Sequence, residues 1–247
     1  GLPDGFKEGP YAFKHNNKYY LTFPWVQDKT ETLAYAMADS PMGPFTFTGI
    51  IMDESPSGCW TNHHSITEYN GQWYLFYHHN DYSPNFDKNR SARIDSLFFN
   101  TDGTIKKVKP TLRGVGITDA RSKIQIDRYS TISPYGVTID YLEPSNTFEG
   151  WQTLFNRAGT WVTYNKVDFG TTPVKRLKAR VRSEKGGAIT LRTPGEKGMT
   201  IAELPIKPTG KWTEISTNVS NAPTSMQDLI ITQTGENPVA VDWISFE

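Results

Sequence analysis

Short runs of apolar and aromatic residues follow one another along the whole chain, and Gly, Pro, Asn or Asp interrupts them every few positions. Alternation of apolar and polar residues over four to eight positions, bounded by such turn residues, is typical of β-strands. The three-to-four-residue spacing of an amphipathic helix is almost absent. The pattern therefore predicts an all-β protein.

Two segments have similar sequences and start 54 residues apart: "NNKYYLTF" at Asn16–Phe23 and "NGQWYLFY" at Asn70–Tyr77. In each, an Asn-led two-residue turn joins an earlier strand to a Tyr-Leu strand, as in a β-hairpin. Each repeat holds about four strands, which is typical of the blades of a β-propeller. Only two blades are visible where a propeller needs at least four, so the pattern predicts a partial propeller.

The sequence pattern changes near Ser133, where a series of seven or more short predicted strands begins, separated by closely spaced turn residues. That number and spacing of strands indicate a β-sandwich or jelly roll. The predicted domains are residues 1–132, a partial propeller, and residues 133–247, a β-sandwich.

Charge and cysteine content exclude several classes of protein. Lys and Arg together number 26, as do Asp and Glu, and the sequence pI is near 7.1, so neither nucleic acid nor another polyanion is an expected partner. The single cysteine, Cys59, excludes an internal disulfide and a cysteine metal cluster. No apolar run reaches the roughly 18 residues of a membrane span, and the N-terminus lacks the pattern of a signal peptide.

Glu8 is the first candidate for chemistry, because it precedes Gly9 and Pro10 at the entrance to a tyrosine-rich strand. His63 stands at the corresponding entrance of the second repeat. In a propeller the first strand of each blade lines the central channel. A carboxyl held there among aromatic rings would have a raised pKa and could act as a general acid. The alternative is a turn-forming glutamate on the surface.

The segments "GFKEGPYAFKHNNKYYLTFP", "ETLAYAMADSPMGPF", "NHHSITEYNGQWYLFYH" and "NRSARIDSLFFNTDGTI" resemble, in this order, the second half of the catalytic domain of glycoside hydrolase family 43. The arabinoxylan-active and β-xylosidase members are the most similar. The resemblance implies a five-bladed propeller that works by inversion, with an Asp base, a second Asp that tunes the acid, and a Glu acid in an E-G-P motif. Glu8 matches that acid.

The resemblance places the two aspartates in blades that this chain does not contain, and Asp4 lacks the context to replace them. We therefore expect the partners of Glu8 on a missing N-terminal half, in the same protein or on another chain. Exposed sheet edges would otherwise favour self-association. The chain alone is expected to be inactive, since an inverting enzyme needs both acid and base.

The histidines raise the question of a metal. His63 matches a position that, in the family, contacts a structural calcium at the propeller axis, and the alternative is a hydrogen-bonded histidine without a metal. Calcium prefers oxygen ligands, so one histidine does not define a site. Zinc is disfavoured, because His64, His78 and His79 show neither helical spacing nor cysteine partners.

Four residues are candidates for contact with substrate. Arg90 matches an arginine that points into the sugar subsite of relatives, and a surface salt bridge is the alternative. Trp25 and Trp60 suit a sugar-stacking wall or packing between blades, because aromatics at 13% of the chain serve both purposes. His64, which follows His63 directly, is the fourth candidate for contact with substrate.

Residues 133–247 resemble a family 6 carbohydrate-binding module through "GTWVTYNKVDFG" and "NPVAVDWISFE". The resemblance implies a sugar clamped between two rings near an Asn, here Phe155, Trp212 and Asn237. Trp151 is the alternative ring, and a purely structural module is the alternative role.

The same resemblance puts Asp140 and Asp242 at positions that ligate a structural calcium in relatives. A buried, hydrogen-bonded Asp242 beside Trp243 is the alternative. Calcium is the only cofactor expected, and no organic cofactor is.

The favoured hypothesis is the C-terminal portion of an inverting hydrolase of arabinoxylan or xylo-oligosaccharides, either an α-L-arabinofuranosidase or a β-xylosidase, with Glu8 as its acid. A non-catalytic xylan-binding protein is the second hypothesis, and a structural or protein-interaction module is the third. A polymeric substrate implies a secreted, periplasmic or cell-surface location.

Overall fold

The computed structural model describes residues 1–80, 87–88, 90–195 and 198–247. The chain divides into two compact units, Gly1–Val115 and Gly116–Glu247. Within the described residues the helices are two 3-10 turns, Ile126–Arg128 and Thr147–Glu149, and no helix there is long and apolar enough to cross a membrane. Strands supply nearly all the regular structure, so the all-β prediction is confirmed.

The first unit contains two antiparallel sheets, each with its strands in sequence order. The strands are β1 Tyr11–His15, β2 Lys18–Val26, β3 Glu31–Ala38 and β4 Thr46–Met52 in one sheet, and β5 His64–Tyr69, β6 Gln72–His79 and β7 Ser91–Leu97 in the other. The hairpin turns have positive φ at both central residues, 45° and 61° at Asn16 and Asn17 and 50° and 77° at Asn70 and Gly71. Asn and Gly tolerate this conformation, which matches the twist of the flanking strands.

The two sheets of the first unit pack through one hydrophobic cluster. Tyr20 and Leu33 of the first sheet and Ile66 and Leu75 of the second are all fully or almost fully buried in it. The hydroxyl of Tyr11 donates to the carbonyl of Ile66 at 2.7 Å and ties the two sheets further. The two repeats therefore pack face to face, as neighbouring propeller blades do.

The second unit is a sandwich of two sheets, in the orders β10-β13-β18-β15-β16 and β11-β12-β19-β14-β17, to which β8 and β9 add through β13 and β19. Its strands are β8 Thr118–Asp119, β9 Ile124–Gln125, β10 Thr131–Ile132, β11 Val137–Tyr141, β12 Trp151–Phe155, β13 Trp161–Asp168, β14 Arg176–Arg182, β15 Gly187–Arg192, β16 Thr200–Ile206, β17 Thr213–Asn218, β18 Met226–Gln233 and β19 Val239–Phe246. The inner faces of both sheets bury one continuous apolar core.

The boundary between the units differs from the predicted one. Residues 116–132 belong to the sandwich, because Thr118 pairs with Val167 and Ile124 pairs with Ile244. Ile124 and Ile126 are fully buried in the sandwich core. This stretch, which the sequence analysis places in the propeller, therefore completes the second unit instead.

Candidate functional site

A cleft of about 350 Å³ in the first unit brings acidic, basic and aromatic side chains together. It is lined by Lys7, Glu8, Val26, Glu31, Trp60, Thr61, Asp87 and Lys88. A wall of mixed charge beside an exposed aromatic ring is suited to a ligand with many hydroxyl groups. Glu8 and Trp60, both predicted from the sequence, lie on this wall.

Gly9 holds the Glu8 loop close to the second repeat. Its φ is 63°, and a Cβ atom at this position would lie 3.0 Å from both the ring of His63 and the ring of Pro24. Only glycine satisfies both conditions easily. The loop thereby brings the Glu8 Oε2 atom to 3.8 Å from the His63 Nε2 atom while 64% of the Glu8 side chain stays exposed.

Glu31, the first residue of β3, is a buried acid in this cleft that the sequence analysis misses. Only 8% of it is exposed. Its carboxyl accepts a hydrogen bond from the backbone N–H of Asn62, and its Oε2 atom has no partner among the described residues. Burial raises the pKa of Glu31, the Asn62 hydrogen bond lowers it, and the nearby charge of Glu8 raises it. The sequence did contain a signal for Glu31, because this acid opens a strand whose last six residues are apolar or aromatic.

The two tryptophans predicted for sugar stacking have different roles. Trp60 is 41% exposed on the cleft wall, and its backbone N–H donates to the carbonyl of Asp87 at 2.9 Å. Trp25 packs edge-on against Phe47, with ring centroids 5.4 Å apart, and its indole N–H donates to the carbonyl of Asp4 at 3.0 Å. Trp60 remains a candidate for ligand contact, and Trp25 is a packing residue here.

His64 and Arg90 are not among the described residues that line the cleft. The Nε2 atom of His64 lies 2.6 Å from the Thr22 hydroxyl, and burial, aided by the charge of His63, lowers the pKa of His64 to about 4. Burial also lowers the pKa of His78 to about 4, and the exposed Arg90 is the second cause. His64 is therefore a neutral, partly buried residue at neutral pH, and its predicted contact with substrate is not supported by this geometry.

The residues around His63 do not by themselves fit a calcium ion. Calcium takes six to eight oxygen ligands. In the part of the chain that the structure describes, no three His, Cys, Asp or Glu side chains are grouped so that they could hold a metal. The predicted calcium at His63 stays a prediction, and its other ligands would have to come from outside these residues.

In the second unit, the predicted sugar clamp of Phe155, Trp212 and Asn237 is not assembled. Phe155 is fully buried in the sandwich core, so it has no face for a sugar. The ring of Trp212 is covered by the guanidinium groups of Arg180 and Arg182, at 5.3 and 5.1 Å. Asn237 lines a pocket of about 570 Å³ together with Arg182 and Leu154, and neither Phe155 nor Trp212 is among its lining residues.

The remaining predicted residues of this unit are also held by their neighbours. The alternative ring, Trp151, stacks on Tyr141 with ring centroids 4.3 Å apart. Asp242 is buried and pairs with Arg180 at 2.6 Å, and burial raises its pKa although Arg180 opposes the shift. Asp140 is exposed, and its Oδ1 atom accepts a hydrogen bond from the backbone N–H of Tyr141. A calcium shared by Asp140 and Asp242 likewise stays a prediction.

Comparison with known proteins assigns both parts of the chain. Residues 4–105 match the family model of glycosyl hydrolases family 43. Residues 133–247 match the model of carbohydrate binding module family 6. The chain is a glycoside hydrolase family 43 segment followed by a family 6 carbohydrate-binding module. The family 43 segment contains the Glu8 cleft, and the family 6 module contains the pocket beside Asn237.

Curated relatives of the family 43 segment and of the combined chain are named as a beta-xylosidase and as an arabinoxylan arabinofuranohydrolase. An arabinoxylan arabinofuranohydrolase of Paenibacillus polymyxa is 28% identical over 92% of this chain and 40% of its own length. A beta-xylosidase of Xylanibacter ruminicola is 43% identical over 43% of this chain and 32% of its own length. The chain thus spans less than half the length of these relatives.

One solved structure supports the fold of each of the two parts. It is the family 43 arabinoxylan arabinofuranohydrolase of Bacillus subtilis in complex with cellotetraose. The superposition has a TM-score of 0.59 at 23% sequence identity, and it covers 98% of this chain and 54% of the Bacillus subtilis chain. With the family assignments, it confirms a partial β-propeller in the family 43 segment and a β-sandwich in the family 6 module.

Proposed function

We propose that Glu8 is the general acid of an inverting glycoside hydrolase that acts on arabinoxylan or xylo-oligosaccharides. The observation that carries the proposal is the placement of Glu8. Its carboxyl is mostly exposed at a cleft with an aromatic wall, on a loop that Gly9 fixes against His63. A carboxyl in this position can reach the oxygen of a glycosidic bond and protonate it as the bond breaks.

The proposed mechanism requires a second carboxylate that activates water on the opposite face of the sugar. Acid and base in inverting enzymes stand roughly 6.5–9.5 Å apart, which leaves room for that water. Glu31 is poorly suited to this task, because it is almost fully buried and bound to the Asn62 N–H. We propose that the base and the tuning aspartate come from further propeller blades, on the same or another polypeptide.

The names of the relatives suggest two substrate classes, α-L-arabinofuranosides and β-D-xylosides. Both are pentosides. Because xylan is a polymer, we propose that the protein meets it outside the cytoplasm.

The test replaces Glu8 by Gln in the complete protein and measures hydrolysis of xylobiose, aryl xylosides, aryl arabinofuranosides and arabinoxylan. Loss of a general acid should lower kcat by about 10²- to 10⁴-fold. The loss should be smaller for aryl groups that leave without protonation. Glu68→Gln, an exposed acid on β5, is the matched control and should retain full activity. Unchanged xylobiose hydrolysis by Glu8→Gln would refute the assignment.

Xylan binding without hydrolysis is the second candidate function, favoured by the family 6 module and its open pocket beside Asn237. It predicts that the parent protein binds xylan and hydrolyses none of these substrates. Product analysis and a pull-down on insoluble xylan, performed on the same sample, separate the two functions.

A further inference from the structure

Glu31 has the environment of a ligand-binding residue rather than that of an ordinary buried acid. Buried carboxylates are normally paired with a cation or fully hydrogen-bonded. Glu31 receives the Asn62 N–H, yet its Oε2 atom has no partner within the described residues. A buried oxygen without a partner costs free energy, so such a group persists where binding supplies the missing donor.

The position of Glu31 identifies which donor that would be. Glu31 lines the cleft that Glu8 and Trp60 also line, and 8% of the residue is exposed. Lys7 and Lys88 share the cleft, but neither ammonium group is paired with Glu31 among the described contacts. A ligand bound against Glu8 would thus bring its own groups to the unpartnered oxygen.

We propose that Glu31 is a substrate-binding residue whose carboxyl accepts a hydrogen bond from a hydroxyl group of the sugar held against Glu8. This inference rests on the proposed function, because it names a contact made by the same substrate. A carboxylate is a stronger acceptor for a hydroxyl than a neutral group is. Its fixed orientation on Asn62 would select a sugar whose hydroxyl lies at one position, which makes Glu31 a determinant of substrate specificity.

The test measures kcat/KM for the complete protein, Glu31→Gln and the control Glu68→Gln. The substrate is whichever pentoside the parent hydrolyses, together with its analogues that lack one hydroxyl each. Loss of a hydrogen bond to a charged group should lower kcat/KM of Glu31→Gln by about 10- to 100-fold on the intact substrate. On the one analogue that lacks the contacting hydroxyl, parent and Glu31→Gln should differ by less than about 3-fold, since coupled groups are not additive.

Glu31→Asp is a second variant that tests the inference if Glu31→Gln does not fold. It keeps the charge but withdraws the carboxyl by one methylene group, so it should lose activity on the intact substrate and show the same insensitivity to that one analogue. Thermal unfolding of each variant shows whether it folds.

Two results would overturn the inference alone: unchanged kcat/KM in Glu31→Gln, or an equal loss on every analogue, which indicates a structural role. Failure of the parent to hydrolyse any pentoside would overturn the proposed function, and this inference would fall with it.

Discussion

The two units place the same kinds of side chain in opposite situations. In the first unit, the acids Glu8 and Glu31 and the ring of Trp60 surround a cleft. In the second unit, the ring of Phe155 is in the core and the acid Asp242 is paired with Arg180. Equally strong family resemblances therefore lead to different conclusions about the residues that they mark.

The difference follows from what each sequence motif specifies. The E-G-P motif records a backbone requirement, because Gly9 must have positive φ and no side chain next to His63 and Pro24. That requirement leaves the neighbouring Glu8 exposed. The V-D-F-G motif of the second unit instead records packing, since Val167 and Phe169 are fully buried and Phe169 contacts Phe246 with ring centroids 4.9 Å apart. A packing motif identifies the module without showing where it binds sugar.

Replacing Phe155 by Ala should give the largest effect on stability. Removing a fully buried phenylalanine leaves a cavity and costs about 3–5 kcal/mol in the free energy of unfolding. Phe148→Ala is the matched control, because that ring is 98% exposed, and it should change stability by less than about 0.5 kcal/mol. Denaturant unfolding of the second unit measures both. If Phe155→Ala abolished xylan binding at unchanged stability, Phe155 would be a ligand residue and the contrast between the units would fail.

Acid should destabilise the first unit and spare the second. Burial lowers the pKa of His64 and His78 to about 4, whereas unfolding restores ordinary values near 6.5. The unfolded chain then binds more protons between these values, so stability falls as pH drops below about 6.5, by at most about 3 kcal/mol for the deeply buried His64 and by less for the half-buried His78, which solvent screens. All five histidines precede residue 116, so the second unit serves as the internal control.

The measurement is thermal unfolding at pH 7 and pH 5, with the transitions of the two units resolved. Only the transition of the first unit should move to lower temperature at pH 5. A His64→Gln variant should show a smaller shift. Equal shifts in both units would show that the histidines are not responsible.

Local chemistry explains what could be predicted from the sequence. The hairpin turns at Asn16 and Asn70 need only neighbouring residues, and both are present. The repeat places Glu8 and His63 at equivalent blade entrances, and in the structure the Glu8 Oε2 atom lies 3.8 Å from the His63 Nε2 atom. The all-β class and the order of the two folds depend on the same short-range patterns.

Other features could not be predicted from the sequence, because they depend on packing between residues that are far apart in the chain. The hydrogen bond to the buried carboxyl of Glu31 comes from the Asn62 N–H, which lies 31 residues further along the chain, just before β5. The boundary between the compact units lies before the predicted Ser133 because Thr118–Asp119 and Ile124–Gln125 join the sandwich as two-residue strands, too short to show alternation in the sequence. They are strands only because Val167 and Ile244 lie beside them.

The two tryptophans of the first unit provide the finest test, with the smallest expected effect. Trp60→Ala removes an exposed ring from the cleft wall and should raise KM by about 2- to 10-fold with little loss of stability. Trp25→Ala removes a half-buried ring packed on Phe47, and it should instead lower the free energy of unfolding by about 1–3 kcal/mol with KM unchanged. Steady-state kinetics and denaturant unfolding of both variants form a two-by-two comparison. Because each variant is the control for the other, a KM effect in Trp25→Ala, or none in Trp60→Ala, would reverse the roles that the structure gives these rings.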